Sequence, residues 1–309
     1  MASVLDLIDT SRLPAPDILE DVSAEEKHQE FIARFKAIWA ARRAQNPSLP
    51  EWDVSMVEAD LPVVVSEAVA YLRTLDRIRV NDAVKAVLAP LAKGTNLDNV
   101  VANQGLMRLE LVPADPATGL AAVMESDEQL LRRYFLSFEK PSAGSAERYM
   151  LEAWTAVPSL HDVAVIGHAI HGRRGDVDIV LLGQGGRPPT ADEIRAVHDA
   201  IHQPGVKSEA TAVSVFGAIL ATYGIGLTAE VGRGPDPALV ADEARTRVKA
   251  ATDERMVIGG EVPADLPIGA AYGPNILKVR WKMPFAGVAR HPYTAPVCAE
   301  VSVDYEVRT

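Results

Sequence analysis

The sequence predicts an α+β protein: an N-terminal helical region followed by two successive ferredoxin-like α/β sandwich modules. Three observations carry this reading. Apolar residues before about position 105 recur at helical spacing, whereas several later runs alternate with a period of two. The middle of the chain reads α-β-β-α-β. The end reads β-α-β-β, an order that suits small layered α+β units.

Ser23-Ala-Glu-Glu26 is a capping-box pattern, in which hydroxyl and carboxylate satisfy end donors reciprocally. Phe31, Ile32, Phe35, Ile38 and Trp39 follow as one helical stripe, and Asn46-Pro47 and Pro50 interrupt it. A long helix starts near Asp60-Leu61-Pro62, with Asp as cap and Pro where its missing N–H is harmless. Leu61, Val65, Ala68, Leu72, Leu75 and Ile78 form its stripe, which Val80, Val84, Val87 and Leu91 continue on a shifted face before Lys93-Gly94. A short helix runs from Asn96 to Gln104 and closes at Gly105. The stretch Glu110–Thr118, with Pro113 and Pro116, marks the end of the helical region.

Further on, Ala143–Val157 reads as a helix, and His161–Gly167 with Asp176–Leu182 as a hairpin across Gly172–Gly175. Thr190-Ala-Asp-Glu193 caps a helix reaching His202. Strands follow at Thr211–Phe216 and Ile219–Val231, and then a helix from Asp236-Pro237 with Val240, Ala244, Val248 and Ala251 on one face. Leu277, Val279, Trp281 and Met283 alternate. So do Val297, Ala299, Val301, Val303, Tyr305 and Val307, with Glu300, Ser302, Asp304 and Glu306 opposite. The expected organisation is residues 1–118 as a helical assembly region, 119–217 as the first α+β module and 218–309 as the second.

Composition narrows the function. The 309 residues carry 42 acidic against 31 basic side chains, a formal charge of −11, which opposes nucleic-acid binding because phosphate contact needs a basic face. The start, Met1–Asp9, has acids where a signal peptide carries lysines. Ala210–Ala229 is uncharged and long enough to span a bilayer, but it holds Gly217, Gly224 and Gly226 and then alternates as a strand does, so no membrane insertion is expected. A single cysteine, Cys298, excludes an intrachain disulfide and Cys-cluster metal sites, and it falls on the polar parity of its strand.

Catalytic patterns are weak. His198 and His202 stand four apart on a helix and could share a zinc ion, with His161, His168 or His171 as a third ligand, giving a metal-dependent hydrolase as the alternative function. Against it, the Glu that follows the first His of the zinc-protease pattern is missing. Gly183-Gln-Gly-Gly186 could cradle a phosphate, but Pro188 and Pro189 remove amide donors nearby and no Lys-Ser/Thr follows. Glu125-Ser-Asp-Glu128 could hold a cation, but it reads better as a helix start where acids complement the dipole. No catalytic residue, metal or cofactor is expected.

Several motifs, in order, carry a resemblance. They are Leu13–Leu19, Ser66-Glu-Ala-Val-Ala-Tyr71, Arg77-Ile-Arg-Val-Asn-Asp-Ala83, Ala89–Asp98 with Gly105, Glu125–Arg133, Ser142–Tyr149 and His161–Val165. This series resembles the baseplate J-like family of contractile phage tails and related injection machines, over about residues 10–250. The resemblance implies a structural subunit of the baseplate wedge, built in the host cytoplasm into the virion tail baseplate. Such a subunit would hold wedges in a ring and rearrange on sheath contraction. Its implied partners are further copies of itself and other baseplate wedge and hub proteins. The densest motif lies on the long helix. Leu61, Val65, Tyr71, Arg77 and Asn81 are therefore the expected assembly interface, on a helix whose shifting stripe needs more than one neighbour.

Overall fold

A computed structural model describes residue 14 and residues 16–52, 60–116, 119–138, 142–234 and 236–308. The chain start, Met1–Asp9, and the tail of the expected boundary, Ala117 and Thr118, lie outside the described residues. The chain divides into two compact units, one ending at Met107 and the other running from Arg108 onward.

The first unit is helical. Helix α1 (Ala24–Gln45) starts where the Ser23 hydroxyl accepts the Glu26 N–H, and α2 (Leu61–Val87) starts beside Pro62. The two helices pack together, and side chains bond the described residues of their connection. Trp39 Nε1 donates to Pro50 O at 3.0 Å, and Trp52 Nε1 donates to Asp60 Oδ2 at 2.8 Å. Phe35 meets Trp52 edge-on at 4.8 Å between centroids. Helix α3 (Thr95–Val101) continues as one 3₁₀ turn and stops at Gly105, whose φ of 68° is the left-handed geometry that favours glycine.

The second unit is mixed α+β. A short antiparallel pair, β1 (Glu110–Val112) and β2 (Val123–Met124), occupies part of the stretch expected as a boundary. Helices α4 (Asp127–Ser137) and α5 (Ala146–Ala156) follow. Strands β3 (Asp162–Ile166) and β4 (Asp176–Leu182) then pair antiparallel, with a one-turn α6 (His168–His171) in their connection. Helix α7 (Ala191–Ile201) carries the chain over to β5 (Ala212–Gly217), which pairs parallel to β4. β4 is the middle strand, and Ile179–Leu182 are fully buried, so it reads as an apolar run and not as an alternation.

After Ala218 the chain enters the long β6 (Ile219–Val231), then α8 (Pro237–Asp253), α9 (Leu266–Ala271), β7 (Ile276–Trp281) and β8 (Thr294–Val307). The sheet order is β7-β6-β8, antiparallel on one side of β6 and parallel on the other. Ile225, Leu227, Ala229 and Val231 form its core with Val240, Ala244 and Val248 of α8. The long uncharged stretch is thus strand, and no helix among the described residues is long and apolar enough to cross a membrane.

The mixed α+β class and the element order follow the expectation. Among the described residues, each of the two larger sheets has three strands. The sheets are also tied to each other. Ala218 N donates to Leu181 O, and Ile219 N to Tyr293 O, both at 2.9 Å. Tyr293 Oη donates to Asp178 Oδ2 at 2.7 Å, and Leu182, Met256 and Ala295 share a buried cluster.

Candidate assembly surface

Helix α2 turns only a narrow stripe of small side chains inward. Val63, Ser66 and Ala70 are its buried residues, spaced at i, i+3 and i+7. Ser66 is fully buried, with its hydroxyl 2.7 Å from His28 Nδ1 on α1 and bonded to Val63 O at 2.8 Å. The stripe expected from the sequence is a different face. Leu61 is 74% exposed, Leu72 60% and Val65 44%, and Ala68, Leu75 and Ile78 are exposed as well. Large side chains set the apparent periodicity, while the small ones that let two helices approach closely decide the contact made within the subunit.

The five expected interface residues divide into two groups. Leu61, Val65 and Tyr71 are exposed on α2. Arg77 and Asn81 have partners within the unit. Arg77 lies 3.2 Å from the Glu20 carboxylate, and Asn81 bonds both backbone groups of Glu20. Glu20 itself carried no signal in the sequence, because the contact joins residues 61 positions apart.

The other candidates have neighbours of their own. The His198 and His202 rings stack at 4.0 Å, His202 Nδ1 lies 2.8 Å from His198 O, and His198 Nδ1 lies 3.2 Å from Asp199 Oδ1. Among the described residues, no group of three or more His, Cys, Asp or Glu side chains is arranged to hold a metal ion, so the hydrolase alternative is not favoured. His161 Nε2 sits 2.9 Å from Met256 O, on the loop after α8. On the same loop, Ile258 N donates to Asp162, whose pKa burial pushes up against the two backbone N–H bonds that lower it. The glycine stretch is a packed turn: a Cβ on Gly186, at φ 80°, would stand 2.5 Å from Met256 Sδ. Arg187 bonds Glu193, the acid of the α7 capping box, and holds that carboxyl below its usual range.

Glu125-Ser-Asp-Glu128 starts α4 through a full capping box on Ser126 and Gln129. Glu125 is buried and pairs with Arg133 at 2.7 Å, an ion pair that the sequence concealed. Cys298 lies on the other side of its strand from the one expected. Tyr223 stands opposite Cys298 but Gly224 opposite Glu300, so Ala299 is an extra residue, a β-bulge that flips the parity. Cys298 therefore packs toward the core with Val301 and Val303, and burial raises its thiol pKa.

Two comparisons bear on this geometry. Residues 58–115, which include all of α2, match the family described as the baseplate J-like N-terminal domain. The chain is also 28% identical to baseplate protein J of Escherichia phage P2 over 308 residues, covering 96% of this chain and 97% of that one. The resemblance read from the motifs is therefore borne out: residues 58–115 match the baseplate J-like N-terminal domain, and the chain is similar to a baseplate J protein along nearly its whole length.

Proposed function

We propose that the protein is a structural subunit of a contractile-tail baseplate, that it joins its neighbours through α2, and that it works as part of the wedge, holding wedges in a ring that rearranges on sheath contraction. The carrying observation is the uncovered apolar face of α2, within the segment that matches the baseplate J-like domain. Leu61, Val65, Tyr71, Leu72, Leu75 and Ile78 are all exposed along one side of α2, and a contiguous exposed apolar face is the mark of an interaction site. Within this reading Leu61, Val65 and Tyr71 supply the apolar contact. Arg77 and Asn81 hold the segment around Glu20 beside it. The neighbours are other baseplate proteins, including further copies of this chain, in the tail baseplate assembled in the host cytoplasm.

A photo-crosslinker placed at Leu72 and activated in assembled particles tests the proposal. Products joining the chain to another baseplate protein or to a second copy are expected, with a different set of products after sheath contraction. Particles that carry the chain but yield no crosslink at Leu72 would remove α2 from the interface.

A further inference from the structure

The second sheet ends in an open strand. β8 is the outermost strand beside β6, and its Thr294 carbonyl accepts the Gly259 N–H. Among the described residues, no strand pairs with its outer edge after that point. Pro296 and the bulge at Ala299 interrupt the first half of the edge, as protective devices do. Residues 300–307 have neither. The Arg308 N–H donates to Val231 O, so at this end even-numbered residues turn their backbone groups to β6. Val301, Val303, Tyr305 and Val307 turn theirs outward.

The side chains carry a second signal. Val301 and Val303 pack against the core, but Tyr305 and Val307 on the same face are 48% and 47% exposed, although their neighbours across the ladder, Ala229 and Val231, are fully buried. The core therefore runs out from under its own edge strand. The opposite face carries Glu300, Asp304 and Glu306. Lys282 reaches Asp304 at 2.6 Å and Arg280 reaches Glu306 at 3.8 Å, while Glu300 has no ion-pair partner among the described residues. A second β8 laid against this edge would set acid beside acid, which destabilises cross-strand pairing.

We infer that the edge of β8 over residues 300–307 is a strand-addition site for an extended segment of a different protein that alternates apolar with basic residues. Its backbone would complete the open ladder, its apolar side chains would cover Tyr305 and Val307, and its Lys or Arg side chains would meet the acids on the wet face.

The test uses the full chain and two short synthetic peptides, one alternating valine with lysine and one alternating valine with glutamate. The lysine peptide should slow amide exchange at Val303 and Tyr305 by about tenfold or more, and the glutamate peptide should not. Tyr305→Pro removes an outward N–H without touching the β6 ladder, and should abolish the effect at unchanged melting temperature. As a check that leaves the backbone intact, the triple variant Glu300→Lys, Asp304→Lys, Glu306→Lys should reverse the peptide preference. The inference is overturned if the lysine peptide gives no protection, if both peptides bind alike, or if the triple variant keeps the original preference. Self-association of the free chain that Tyr305→Pro abolishes would also overturn it, since the occupant would then be a second copy.

Discussion

Asn81 grips Glu20 by both backbone groups: its Nδ2 donates to Glu20 O at 2.8 Å, and its Oδ1 accepts the Glu20 N–H at 3.1 Å. A carboxamide is the side chain that offers a donor and an acceptor in one plane. Arg77 adds its ion pair one turn earlier on the same helix. Asn81→Ala should release the segment before α1 from α2 at a cost of about 1 kcal/mol, since each bond is exposed and modest. Limited proteolysis near residue 20 should accelerate while the rest of the digestion pattern holds. Unchanged cleavage would mean that the clamp does not order this segment.

The Glu125–Arg133 pair behaves differently because it is buried. Both side chains are at most 4% exposed, and Glu125 also accepts the Leu109 N–H at 3.1 Å. Arg133→Ala leaves a carboxylate without its cation, which typically costs about 3–5 kcal/mol. Chemical denaturation of the variant should show a loss of that order. A loss below about 1 kcal/mol would indicate that Glu125 has become solvated.

Asp162 links pH to stability with a sign opposite to that of most carboxylates. Its folded pKa is raised above 3.8, so the folded state binds this proton more tightly than the unfolded state. The site is therefore favoured at low pH, and its contribution is lost as pH rises through the raised pKa. Denaturation midpoints of the wild type and Asp162→Asn, measured between pH about 4 and 7, should diverge to the disadvantage of the wild type as pH increases. Parallel curves would contradict the burial of that charge.

Cys298 faces the core side, and burial raises its pKa. Thiolate is the reactive form, so a thiol reagent at neutral pH should label it slowly in the folded chain and fast after unfolding. Equal rates would place the thiol on the open face.

What the sequence disclosed followed from local rules. The caps at Ser23 and Thr190, the stop at Gly105 and the strands on either side of Ala218 all rest on neighbours within a few residues. Non-local effects stayed hidden. The bulge at Ala299 inverts the side on which Cys298 lies, and only the partner strand records it. On β7 a register shift next to Val231 likewise buries Ile276 and exposes Leu277. The long helix was legible as a helix, but its inward face was not. Hydrophobic size points to Leu61 and Leu72, whereas Ser66 and Ala70 make the contact. That mismatch is informative in itself, since among the described residues it leaves the large apolar side chains exposed.

Incorporation of a Val65→Asp chain into baseplates tests the role of α2 most directly. Val65 is 44% exposed in the isolated chain, so the substitution should leave helix and strand content by circular dichroism, and the melting temperature, nearly unchanged. Buried against a neighbour, the same carboxylate would be an unpaired charge costing several kcal/mol. Folded protein that fails to enter baseplates is expected, with particles missing or unable to contract. Normal particles containing the variant would contradict it. So would a global loss of fold, because Val65 would then belong to the subunit's own core.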